Sequence, residues 1–229
     1  YKEGIADIET APVFAGDDAA DDICILENKS APDQSLIISS DKKYGIIVYD
    51  LKGDKINEYN LGRINNVDII PSKSLEHHFI VCATNRSHNS IDLYLFNESG
   101  ALIKHLLRTK VKSLKDVYGI TFYNGDVNTY LFVSDKKGHV EQWIYNNDES
   151  EPKISKLRSL KFSSIVEGIV ADEFKAKVYI AQERKGIWEI NVSPALPLNR
   201  KLIYKKNKFI KPDFEGLTLR DETNGKGQL

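Results

Sequence analysis

The chain has no methionine and only two cysteines, Cys24 and Cys82. No apolar run approaches the roughly 20 residues of a membrane span, and no signal peptide is visible. Net charge is −1 over 229 residues, so no global field points to nucleic acid or to a membrane surface. Helical periodicity is nearly absent. The missing methionine at position 1 reads as a mature or excised piece, compatible with a removed export signal. Both cysteines lie in apolar runs, "DICIL" and "FIVCAT", where a thiol behaves as a small buried hydrophobe; a Cys24–Cys82 disulfide has weak support. Phosphatase signatures are lacking too. Arg86 follows Cys82 at the wrong spacing for a Cys-x5-Arg loop, no Arg-His-Gly occurs, and His77-His78 reads as a solvated loop pair.

What the chain has is short runs rich in Val, Ile, Tyr and Phe between Gly, Asn and Asp turns, an all-β pattern. The runs repeat. "DICIL" from Asp22, "NVDII" from Asn66, "YGITF" from Tyr118, "EGIVA" from Glu167 and "EGLTL" from Glu215 start 44, 52, 49 and 48 residues apart. A second series, "LIISSDKK", "FIVCATNR", "LFVSDKK" and "VYIAQER", aligns on Asp41, Asn85, Asp135 and Gln182. A third series and a fourth strand complete each unit. Four strands per unit of this length is the pattern of a β-propeller blade. The expectation is a single all-β domain over residues 1–229: four blades, with 215–220 opening a fifth. The segment "IADIETAPVFA" is expected to pair with the last blade, and "RKLIYKKNKFIK" to be a lysine-guarded strand edge.

Charge is unevenly placed. Residues 1–33 hold nine acidic side chains and two basic ones, with Asp17, Asp18, Asp21 and Asp22 packed into "AGDDAADD". In a propeller the first strands line a central channel, and all start at one end of it. The alignment therefore gathers Asp22, Asn66, Tyr118, Glu167 and Glu215 at one mouth, with Lys42, Arg86, Lys136 and Glu183 on the same rim. Carboxylates so gathered coexist when hard cations sit between them, and oxygen-only donors favour Ca²⁺. Lysines and an arginine facing them suit a highly anionic ligand. Phosphate-ester hydrolysis is the expected chemistry. The alternative is a non-enzymatic propeller that binds calcium and an anionic or protein partner.

At these residues the chain resembles a known family. "AGDDAADD", "DKKYGIIVYDL", "GRINNVDI", "ATNRS", "VYGITFY", "VEGIVAD" and "FEGLTL" are similar, in order and spacing, to the β-propeller phytases. The resemblance implies a secreted, periplasmic or cell-surface bacterial enzyme with six blades, monomeric when complete. It implies several Ca²⁺ ions and phytate, the hexakisphosphate of myo-inositol, as substrate, in a 3-phytase-type monoester hydrolysis. A calcium-activated water would attack directly while a neighbouring phosphate docks beside it. Carried over by motif, Lys42, Arg86, Tyr118 and Lys136 bind phosphate. Asp22, Glu167, Glu183, Asp213 and Glu215 hold calcium and the attacking water, and Asp21 and Asn66 join the calcium shell. Tyr118 stands with Glu167, Glu183, Asp213 and Glu215 in the catalytic set. Lys137, His139 and Gln182 depart from the pattern, standing where acidic residues are common. The sixth blade is missing, which reads as a fragment or as the incomplete repeat that precedes a full one in tandem phytases; alone, it is expected to be poorly active.

Overall fold

A computed structural model describes residues 6–13, 15–148, 150–208, 210, 212–220 and 229. Among them are sixteen β-strands and one short 3-10 turn at Pro32–Gln34, with no helix able to cross a membrane. The strands form four antiparallel four-stranded sheets. Blade I holds β1 (Ala20–Leu26), β2 (Leu36–Asp41), β3 (Gly45–Asp50) and β4 (Lys55–Asn60). Blade II holds β5 (Ile64–Pro71), β6 (His78–Asn85), β7 (Ser90–Asn97) and β8 (Leu102–Lys110). Blade III holds β9 (Val117–Asn124), β10 (Thr129–Asp135), β11 (His139–Tyr145) and β12 (Ile154–Lys161). Blade IV holds β13 (Val166–Asp172), β14 (Lys177–Gln182), β15 (Gly186–Asn191) and β16 (Lys201–Lys205). Within each blade the strands lie in chain order, and the first strands β1, β5, β9 and β13 neighbour one another. This is a propeller arrangement.

The second and third strands are buried on both faces, which is why they read as unbroken apolar runs. The outer strands alternate, as β4 and β16 do, because one face meets solvent. Apolar side chains fill the gaps between blades. Leu26, Ile38 and Val48 of blade I meet Val67, Val81 and Phe96 of blade II. Ile80 and Leu93 meet Phe122 and Trp143 across the next gap, and Phe132 and Leu160 meet Ile169 and Ile180 across the third. Cys24 and Cys82 are free, buried, and belong to different gaps, so no disulfide joins them.

Two expectations are corrected. Residues 6–13 form no strand and do not pair with blade IV. They run along the β3–β4 hairpin of blade I, where the Ala11 N–H donates to the Gly53 carbonyl at 2.8 Å; Ile5 and Phe14 of that segment lie outside the described residues. Residues 212–219 likewise carry no strand. A strand is defined by its ladder, and no described second strand lies beyond to complete one. The basic stretch is as expected: β16 is the edge of blade IV, paired to β15 alone.

A buried ionic knot stiffens blade II. Asp92, on β7, is fully buried and accepts from Arg108 Nη2 (2.7 Å), Ser90 Oγ (2.8 Å), Asn85 Nδ2 (2.9 Å) and the Tyr94 hydroxyl (2.9 Å). Burial alone would raise this carboxyl, but hydrogen bonds, from Arg108 foremost, outweigh it and hold it below the usual carboxylate range. Because folding lowers the value, the stabilisation is complete above the unfolded-state value of roughly 4 and fades as pH falls through the folded one. Thermal midpoints measured from pH 5 to pH 3 should therefore fall less steeply in Asp92→Asn than in the natural chain. Asp92→Ala should cost about 3 kcal/mol, since it strands Arg108 without its partner. A flat acid limb in both proteins would remove Asp92 from the account.

Candidate active site

Four copies of one backbone device build the channel mouth. In each blade the first strand carries one extra residue against the second. Ala20 pairs Asp41 while Ile23 pairs Ser39, and the same three-against-two step recurs at Ile64/Val67, Val117/Ile120 and Val166/Ile169. Such a bulge twists the strand and re-aims its side chains. It also orphans an N–H, and in blades I to III a hydroxyl on the second strand satisfies it. Ser40 Oγ accepts from Asp22 N (2.9 Å), Thr84 Oγ1 from Asn66 N (3.0 Å) and Ser134 Oγ from Gly119 N (2.9 Å). Each hydroxyl then donates to a carbonyl of the next blade, at Asn65, Tyr118 and Val166. Neighbouring inner strands are thus laced together at the mouth.

The bulges correct the alignment by one residue in two blades. The positions equivalent to Tyr118 and Glu167 are Asp21 and Asn65, not Asp22 and Asn66. Spacing alone could not reveal this, because in both blades the two residues at the bulge are polar and alike.

The second-strand ends present the rim. Asp41, Asn85 and Asp135 each close a tight turn and accept, at Oδ1, the N–H two residues on: from Lys43 at 2.7 Å, Ser87 at 3.0 Å and Lys137 at 2.8 Å. The residue between is held out over the mouth, and these residues are Lys42, Arg86 and Lys136. Their backbone N–H groups are anchored too, to the carbonyls of Ala19, Arg63 and Asp116. His139 Nδ1 braces Asp135 at 2.9 Å, so this departure from the family pattern supports the Lys136 turn. In blade IV the side chain of Gln182 turns instead to Ser163, Ser164 and Trp188.

The cations meet at a cavity of about 190 Å³ lined by Lys42, Lys43, Arg63, Arg86 and Lys136, with Asp18 and Tyr118. Lys43 and Arg63 were not singled out from the sequence. Lys43 adjoins Lys42 in an exposed turn, and Arg63 precedes β5, where a lone arginine gives no signal. Lys42 Nζ bridges Asp18 (2.7 Å) and Asp21 (2.9 Å). Arg86 forks onto Asp116 at 2.7 and 3.1 Å. Lys136 Nζ stands 4.5 Å from the centre of the Tyr118 ring, a cation–π contact.

Carboxylates lie behind the cations, and Asn65 joins the two sets. Fully buried, its Nδ2 reaches Asp21 (2.6 Å), Asn66 (2.8 Å) and Glu167 (3.3 Å), while its Oδ1 receives Arg86 Nη1 at 3.3 Å. The sequence reading took its neighbour Asn66, whose Nδ2 instead meets Asp22 (3.0 Å) at the junction of blades I and II. Burial pushes Asp22 up to about 6. Glu167 rises further, to about 7, by burial and by repulsion from Asp21, Glu215 and Glu183, although the Tyr118 hydroxyl opposes this by hydrogen bonding it. Glu183 is raised by burial and then by Asp213 and Glu215. The two last-named residues are exposed, on the coil at 212–219. Asp21, Glu167, Glu183, Asp213 and Glu215 thus share one field, whereas Asp22 stands apart from it and feels Asp68 instead. Among the described residues, however, no three His, Cys, Asp or Glu side chains are close enough to hold an ion as they stand.

The sequence model of the phytase family matches residues 2–229. The chain belongs to the phytase family. A 3-phytase of Bacillus subtilis (strain 168) is 34% identical to this chain over 238 residues, covering 98% of the chain and 62% of the relative. The chain thus spans less than two thirds of that relative's length. Among solved structures, an exo-β-1,3-galactanase of Phanerochaete chrysosporium superposes over 88% of this chain and 52% of its own, with TM-score 0.57 and 12% identity. A nidogen/laminin complex aligns over 80% of this chain and 63% of its own, with TM-score 0.51 and 14% identity. At such identities the likeness is one of fold alone.

Proposed function

We propose that this phytase-family chain carries the site of a calcium-dependent phosphoric monoester hydrolase acting on phytate. The observation that carries the reading is the meeting of five cationic side chains at one cavity, backed by a carboxylate set in the same mouth. A ligand bearing several phosphates matches the row of cations. Arg86 supplies planar donors, Lys42 and Lys136 supply point charge, and Tyr118 holds Lys136 from below. Asp18 is water-screened, with a side chain 90% exposed, so its contact with Lys42 yields readily to a phosphate.

Calcium fits the donor chemistry. The set offers carboxylate and amide oxygens only: a cation offsets the burial and the mutual repulsion that raise Glu167 and Glu183. Asp21, Asp22, Glu167, Glu183, Asp213 and Glu215 would hold the ions, with Asn66 beside them. Bound there, calcium supplies Lewis acidity toward a phosphoryl oxygen and activation of water. The chain's own groups would bind and orient the substrate, and the half-buried Glu183 and buried Glu167 would help to hold the ion. The same reading makes the protein extracytoplasmic and monomeric, with a small-molecule partner rather than nucleic acid or membrane.

One observation favours a second reading, a propeller that presents its mouth to a partner without turnover. The carboxylates do not converge tightly on their own. Turnover separates the two. Thermal midpoints and phosphate release from phytate should both fall when calcium is removed, the midpoint by several degrees. No phosphate release with calcium present would favour the second reading, and an unchanged midpoint would make the carboxylates ordinary strand ends.

A further inference from the structure

Asp116 takes no part in the motifs that mark this site. It occupies the repeat position of Ala19, Arg63 and Ile165, whose carbonyls each receive the N–H at a second-strand turn. Only at this copy is the side chain a carboxylate, and it crosses to the blade before it. Its two oxygens take Arg86 Nε at 2.7 Å and Arg86 Nη2 at 3.1 Å, an in-plane fork. Its carbonyl receives the Lys136 N–H at 3.4 Å. One residue therefore touches two of the cavity's cations, one through its side chain and one through its backbone.

The loop that carries Asp116 is firmly set. Asn89 Nδ2 donates to the carbonyls of Val111 (2.9 Å) and Leu114 (2.8 Å), and Asn89 Oδ1 accepts Val117 N at 3.1 Å. Leu114 and Val117 are buried, and Asp135 Oδ2 accepts Lys115 N at 3.2 Å. Asp116 itself has φ of +61°, a conformation aspartate and asparagine tolerate better than most residues. The carboxylate is thus presented by a fixed backbone, whereas Arg86 brings a flexible stem.

We propose that Asp116 is a positioning residue. It holds the Arg86 guanidinium edge-on, with Nη1 toward Asn65 and the cavity, and keeps it from swinging onto the carboxylates behind. Arg86 has somewhere else to go: Asp21 and Glu167 both lie within reach of Asn65, which it already touches. Without Asp116 the guanidinium would pair with them, withdraw from the cavity and neutralise groups the site needs charged. A mere counter-ion would do the opposite, since its removal would leave Arg86 freer to grip an anion.

The inference rests on the phytate reading for its ligand but not for its geometry, and the test keeps them apart. Asp116→Asn preserves shape and backbone tolerance while removing the charge. In the unliganded full chain, the Arg86 Nε–H should give a slowly exchanging NMR signal that Asp116→Asn abolishes and Asp116→Glu partly restores. In calorimetric titration with phytate, Asp116→Asn should weaken binding about tenfold, the scale of one charged hydrogen-bonded contact. In an Arg86→Ala background the same change should add less than about twofold, because the partner it positions is gone. A surviving Nε–H signal, unchanged or tighter phytate binding, or effects that simply multiply would each overturn the proposal. If the natural chain binds no phytate while the NMR signals behave as expected, the phytate reading falls and the Arg86–Asp116 fork stands.

Discussion

Gly119→Ala should lower the thermal midpoint by roughly 10 °C or more, whereas Gly216→Ala should leave it nearly unchanged. Both glycines follow the first residue of a repeat, in "YGITF" and "EGLTL", and look interchangeable. The structure separates them. A Cβ on Gly119 would stand 1.8 Å from the Glu167 carbonyl oxygen of the next blade. A Cβ on Gly168 would stand 1.9 Å from that of Glu215, and one on Gly216 would meet nothing within 4 Å. The obstacle at Gly119 is backbone, so no rotamer change relieves it. Blade IV would have to move, breaking the Ser134 link to Val166 and displacing Glu167 from Asn65. Overpacking against side chains costs 1–3 kcal/mol; against a laced backbone about 4 kcal/mol or more is expected. Equal midpoints for the two variants would show that the inner strands are not packed as described.

Much of this was legible in the residues. Apolar runs at a period of some 45–50 residues gave the blades, because second and third strands are buried on both faces and leave an unbroken trace. The turn residues Asp41, Asn85 and Asp135 marked the rim, because a short polar side chain closing its own turn is a local signal. What could not be read is the bulge. An extra residue in a strand leaves no compositional mark where both candidates are polar, so Asp22 and Asn66 were placed where Asp21 and Asn65 stand. Asn65 was missed for the same reason, although it is the junction between cations and carboxylates. Asp116 was hidden because its partner lies thirty positions away in another blade. The first strand of a fifth blade, expected at 215–220, shows no ladder over 215–219 and a lone bridge at Arg220, for a different reason: an apolar alternation makes a strand only with a partner, and no strand among the described residues lies beyond it.

Arg86→Ala is expected to weaken phytate binding about a hundredfold, and Lys42→Ala by a similar factor, with calcium affinity near normal. Each removes a positive group whose side chain is 13–14% exposed, so little solvent replaces it. The carboxylates proposed to hold calcium keep their oxygens in both variants, which is why the two affinities should part. Loss of calcium affinity along with phytate would mean that the cations hold the mouth together rather than grip the ligand. The most direct test is a calorimetric titration of phytate into the calcium-loaded chain, beside the Lys42→Ala/Arg86→Ala double variant. The account predicts a saturable one-to-one heat in the natural chain that disappears in the variant; no heat in the first, or the same heat in both, would contradict it.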